Sequence, residues 1–153
     1  MQLTAEKKFD LVHYDTISLC QFDAGRAGLA RVLTHHNIES KLMERRAAFE
    51  KNPLARYYLS LQARRLRQYE MTEAGKFDVN IVMSESDGQE LKLINPNVNL
   101  GLVPNGVDTG YFVPGKENRA PSLIYTGGMN MFANRDAVLY FLRSIRSHFH
   151  VFD

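Results

Sequence analysis

The stretch Leu29-Ala30-Arg31-Val32-Leu33-Thr34-His35-His36-Asn37-Ile38-Glu39 decides the fold. Leu29 to Thr34 is an apolar run of the length a buried strand takes. The polar turn Thr34 to Asn37 then meets a strong helical pattern at Ile38. Asn37 is the candidate N-cap, and Glu39 places negative charge in the first turn, where the helix dipole favours it. A strand that passes directly into a helix is the repeating element of a parallel βαβ sheet.

The same alternation continues on both sides. Upstream, Phe9 to Tyr14 reads as a short strand, followed by a polar turn at Asp15 and Thr16. A short helix is expected from Ile17 to about Ala24, ended by Gly25 and Gly28. Downstream, Glu39 to about Ala74 is helical and broken at Asn52-Pro53, where Asn can cap and Pro suits the first helical position. Leu54, Tyr57, Tyr58, Leu61 and Leu66 recur at helical spacing and are expected to form a core stripe. Phe77 to Met83 is the third strand, Ser84 opens a short helix through Leu93, and Val98 to Val103 is the fourth strand. The expected class is α/β, a Rossmann-like parallel sheet with flanking helices.

After Phe112 the composition changes. Residues 113–121 are polar with two prolines and read as a linker. A strand at Ser122 to Thr126, a loop at Gly127 to Asn130 and a helix from about Asn134 to Ser147 follow. The expected division is therefore 1–112, a linker over 113–121, and 122–153.

Composition narrows the classes. The 153 residues are 44% hydrophobic and 24% charged, which excludes a disordered or fibrous chain. No run approaches the roughly 20 apolar residues of a spanning helix. Nineteen basic against seventeen acidic residues is too even to point to nucleic acid. One cysteine, Cys20, excludes an internal disulfide and a multi-cysteine zinc site, and reads as a small buried hydrophobe. His148 and His150 share a face of an extended segment but lack a third ligand, so no metal site is expected. The sum is a soluble, cytoplasmic globular chain.

The most specific string is Pro104-Asn105-Gly106-Val107-Asp108, followed by Tyr111-Phe112. Turn chemistry alone reads Asn-Gly as a positive-φ turn stiffened by Pro104. Together with four other strings it resembles the glycosyltransferases of the GT-B fold, retaining family 4. Phe9-Asp10-Leu11-Val12-His13 is similar to that family's first strand of this region. Arg31 to Glu39 resembles its strand-to-helix turn with a His-Asn pair. Phe77-Asp78 with Val82 to Asp87 resembles its Ser-Glu-x-Asp turn. Tyr125-Thr126-Gly127-Gly128-Met129, with Asn134 and Ala137, resembles the opening of its nucleotide-sugar domain.

The resemblance implies a partial GT-B fold: the later part of the acceptor domain, the hinge, and the first βα unit of the donor domain. It implies transfer of a hexosyl unit from a nucleotide-sugar donor to a carbohydrate or lipid-linked acceptor. Retention of configuration, no cofactor and no metal follow, the last in keeping with the absence of Asp-x-Asp. The setting implied is bacterial surface polysaccharide biosynthesis, cytoplasmic or peripheral at the inner face of the membrane. His36 matches the histidine facing the transferred sugar, across a cleft from Gly127. Its other reading is a surface histidine of a capping turn, whereas His35 reads as structural. Asn37, Glu39, Ser84 and Asn105 are the expected substrate-binding residues, and Gly127, Gly128 and Asn134 the expected contacts to the donor diphosphate. The family's Glu-x7-Glu segment has no counterpart, so the isolated chain is expected to be inactive.

A rival reading is a non-catalytic module. Arg45, Arg46, Arg56, Arg64, Arg65 and Arg67 make the central helices basic and could dock an anionic membrane or nucleic acid. Glu44, Glu50, Glu70 and Glu73 are expected to interrupt that face. A third is a single αβα domain with the tail in the same sheet.

Overall fold

The computed structural model describes residues 9–23, 28–115 and 122–148. The chain divides into two compact units, Met1–Gly106 and Val107–Asp153. The break falls inside the Pro-Asn-Gly-Val-Asp string.

The first unit is an α/β fold. Its elements are β1 (Leu11–Tyr14), a 3-10 helix (Ile17–Phe22), β2 (Ala30–His35), α1 (Glu39–Phe49), α2 (Pro53–Ala74), β3 (Val79–Val82), α3 (Glu85–Ile94) and β4 (Leu100–Leu102). The strands form one all-parallel sheet in the order β1-β2-β3-β4. Sequential order has a consequence. Right-handed crossovers that always step the same way place their helices on one face of the sheet.

The core agrees. Leu33 pairs with Asn80 and His35 with Val82, so these four side chains share a face. On that face Leu33 packs with Ile17, Cys20 and Phe77, while Val82 packs with Ile38, Ala74 and Leu91 among others. Cys20 is buried there as expected, and burial pushes its thiol up to about 11. The opposite face carries Leu11, Val32, Val79 and Ile81, each at least partly exposed.

Three local expectations are corrected. The start of α1 is not capped by Asn37: the N-cap position is Ile38, whose side chain makes no capping bond. The cap comes instead from Glu70 on α2, which accepts the backbone N–H of Ser40 at 3.1 Å and also its hydroxyl. Asn52, by contrast, caps α2 through the N–H groups of Leu54 and Ala55, with Pro53 at the first helical position as expected.

Of the expected stripe on α2, Leu61 and Leu66 are partly buried, but its N-terminal part is not core. Leu54, Tyr57 and Tyr58 are 80%, 73% and 59% exposed. The buried positions are Leu59, Ala63, Glu70, Glu73 and Ala74, on another face of the helix. The physical reason is what surrounds each half of α2. From Arg67 onward it meets the rest of the unit, through Arg67 to the Leu93 carbonyl, Tyr69 to the Leu33 cluster and Glu70 to Ser40. Toward its N-terminus it packs against α1. Two helices alone bury one seam and leave a second apolar stripe in solvent. Glu70 and Glu73 accordingly lie buried and do not interrupt the basic surface.

The third correction concerns residues 103–108, which are irregular. Asn105 and Gly106 take no positive φ; among the described residues only Gly28 does, at 91°. The turn lies further on, where Asp108 Oδ1 accepts the N–H groups of Gly110 and Tyr111.

The second unit is sparse. Residues 122–126 form no strand, because a strand needs a hydrogen-bonded neighbour and the unit offers none among its described residues. The helix α4 (Phe132–Tyr140) begins two residues before Asn134 and continues through a π-helical turn at Phe141–Ile145 and a 3-10 turn at Arg146–His148. The expected His148–His150 pair lies partly outside the described residues.

Candidate functional site

In an open parallel sheet the loops that leave the carboxyl ends of the strands are where ligands bind, because helix N-termini and chain-end N–H groups collect there. Three expected residues lie at this edge. His35, Val82 and Leu102 stand in register across β2, β3 and β4. His36, Ser84 and Asn105 follow them by one, two and three residues. Neighbouring strands are ~4.8 Å apart, so the three strand ends form one rim, and His36, Ser84 and Asn105 belong to the segments that leave it. The strand order contains no reversal, so these four strands make no switch-point crevice.

His36 is exposed, with Nε2 3.2 Å from Asp15 Oδ1. Asp15 directly follows β1 and His36 directly follows β2; Tyr14 pairs with Leu33, so Asp15 comes level with Thr34, two residues before His36, and the two side chains close that offset. The sequence reading missed Asp15, which strand order brings to the same sheet edge as His36 but only the side-chain geometry pairs with it. His35 points to the packed face, where its Nε2 meets Asn80 Oδ1 at 3.0 Å. Asn80 in turn donates its amide to the Ala74 carbonyl. That carbonyl orients the amide, so Asn80 accepts and His35 Nε2 carries the proton. Burial lowers the His35 pKa below its ordinary value.

Asn37 is exposed and Glu39 half-buried at the first position of α1. The carboxylate of Glu70 already fills part of this helix N-terminus. Burial raises the pKa of Glu70, partly offset by its hydrogen bonds from Ser40.

Ser84 caps α3, accepting the N–H of Asp87 while its hydroxyl donates to Asp87 Oδ2. It also borders a groove of about 660 Å³ between α3 and the edge strand β4. Glu85, Gln89 and Lys92 line that groove as well, with apolar walls from Val82, Leu100 and Leu102. Lys92 Nζ is engaged by the carbonyls of Pro96 and Val98. Periodicity had no means of finding this groove. Asn105 is exposed on the irregular segment after β4.

The remaining expected residues are the loop pair Gly127 and Gly128 and, in the first turn of α4, Asn134. Asn134 Nδ2 donates to the Gly128 carbonyl at 3.1 Å, and Tyr125 donates its hydroxyl to the Asn134 carbonyl. A Cβ on Gly127 would come within 3.0 Å of both Asn134 and Tyr125, and one on Gly128 within 2.8 Å of Asn130. The two glycines thus permit a tight loop at the start of α4.

Among the described residues, no group of three or more His, Cys, Asp or Glu is placed to hold a metal ion. No described helix is long and apolar enough to cross a membrane. No protein-family model matches the chain, and neither does any curated protein or solved structure.

Proposed function

We propose that this chain is part of a retaining GT-B glycosyltransferase of family 4, an enzyme that transfers a hexosyl unit from a nucleotide-sugar to a carbohydrate or lipid-linked acceptor. The observation that carries the reading is that His36, Ser84 and Asn105 belong to segments leaving one rim, the carboxyl edge of a parallel sheet. Its second support is the order of the five strings in the sequence.

In this reading His36 hydrogen-bonds a sugar hydroxyl and Asp15 holds the imidazole in place. Chemistry of this kind rests on positioning two substrates and on N–H groups that stabilise the departing diphosphate. The loop Gly127-Gly128 and the N-terminus of α4 supply such groups in the second unit. The setting is the cytoplasmic side of the membrane, in polysaccharide assembly.

Saturation-transfer NMR on the intact chain with nucleoside-diphosphate hexoses and with simple glycosides tests this. Transfer to the nucleotide-sugar and the glycoside, the latter lost in His36→Ala, is the expected result. No transfer to either overturns the reading.

A further inference from the structure

The exposed stripe on α2 has a definite chemistry. Leu54, Tyr57 and Tyr58 lie on one side of the helix at i, i+3 and i+4 and stand in solvent, and Phe49 at the end of α1 is 66% exposed. Phe49 and Leu54 flank the connector Glu50 to Asn52, so the apolar surface gathers toward the tip of the α1–α2 hairpin. Leu54 lies 16 residues before Glu70, which places it about 24 Å along the helix from the contact with Ser40. The hairpin tip is therefore remote from the core of its unit.

The charge around this stripe is mostly positive, with Glu44 the one exposed acid within it. Between residues 41 and 65 there are seven Lys and Arg against two Glu. Glu50 is half-buried and its carboxylate accepts the Asn52 N–H. Arg45, Arg46, Lys51, Arg56, Arg64 and Arg65 are all exposed. Arg56 donates to the Glu50 carbonyl, which fixes its guanidinium at the tip without cancelling its charge.

We infer that the tip of the α1–α2 hairpin docks on an anionic lipid surface. Tyr57 and Tyr58 would sit at headgroup depth, where an aromatic body and a polar tip are both accommodated, with Leu54 and Phe49 entering the acyl boundary. Arginines flanking an apolar stripe match the negative potential of an anionic leaflet, with each such charge contributing near the surface. Neither Arg64 nor Arg65 has an acidic partner among the described ion pairs, so both charges are available to an anionic surface. Leu54, an aliphatic residue at the tip with no base to stack on, favours the acyl boundary of a lipid surface over nucleic acid, which is met by basic and aromatic side chains. The inference does not rest on sugar transfer: a chain without activity would dock equally.

Flotation of the intact chain with vesicles tests it. Vesicles of phosphatidylcholine containing about one-third phosphatidylglycerol should carry the chain, pure phosphatidylcholine should not, and about 0.5 M salt should weaken the binding. Arg64→Gln with Arg65→Gln should weaken it roughly fivefold per arginine. Leu54→Ser with Tyr57→Ser and Tyr58→Ser should abolish it while the circular-dichroism spectrum stays unchanged, since these side chains are exposed. Failure to float with anionic vesicles overturns the inference. So does binding that survives the triple serine change, whether to vesicles, to RNA or to a second copy of the chain.

Discussion

Glu70, near the C-terminal end of α2, receives both the backbone N–H and the hydroxyl of Ser40 in the first turn of α1. The contact ties the two helices of the hairpin together at its base, and both residues are fully buried. Glu70→Ala leaves both Ser40 groups buried without a partner and should cost roughly 2–4 kcal/mol in urea unfolding. The pH dependence has a definite sign. Because burial raises the Glu70 pKa, the folded chain holds this proton where the unfolded chain has lost it. Its contribution to stability therefore declines as pH rises from 4.5, the ordinary value, through the folded value. Glu70→Gln should show a flatter decline over that window than the parent chain.

The His35–Asn80 pair acts in the opposite direction. Burial lowers the His35 pKa, so its contribution is intact above 6.5, the ordinary value, and is lost as pH falls through the folded value. Asn80→Ala removes two buried hydrogen bonds, to His35 and to the Ala74 carbonyl, and should cost about 2 kcal/mol. Urea midpoints at pH 7 and pH 5 for the parent and His35→Gln measure the acid-side term, which should shrink in the variant.

The two faces of α2 should respond differently to truncation. Leu59→Ala opens the seam between the helices and should cost about 2–3 kcal/mol. Tyr57→Ser and Tyr58→Ser on the exposed face should each stay within about 0.5 kcal/mol of the parent. Thermal unfolding of the three variants distinguishes this arrangement from one in which the tyrosines are core.

Much of the first unit was legible because Leu29 to Thr34 and Phe77 to Met83 are apolar runs bounded by polar turns, a pattern with one structural solution beside long helices. The α2 stripe was legible as a stripe, but not the exposure of its N-terminal part, since periodicity says which residues share a face and not what that face meets. The cap of α1 was not legible, because local capping rules see Asn37 and cannot see Glu70 more than thirty residues away. Ser122 to Thr126 has strand composition, yet pairing is a property of two segments and not of one. At the rim, His36 and Ser84 were readable from their place after strands, whereas Asp15 required the strand order and the side-chain geometry, and the groove beside Ser84 required the packing of α3.

In the proposed sugar-transfer reading Asp15 positions His36. Asp15→Asn should weaken glycoside binding roughly two- to fivefold, as expected for an exposed pair. His36→Ala should remove binding. Glycoside titrations followed on the imidazole resonances separate the two, because Asp15→Asn should also shift the His36 ring signals without ligand.

The most direct measurement is a backbone amide shift map of the intact chain titrated with a nucleoside-diphosphate hexose and, separately, with a simple glycoside. Glycoside shifts should cluster at Asp15, His36, Asn37, Ser84 and Asn105, and donor shifts at Gly127, Gly128 and Asn134. Saturating amounts of both that leave all of these amides unmoved would contradict the sugar-transfer account.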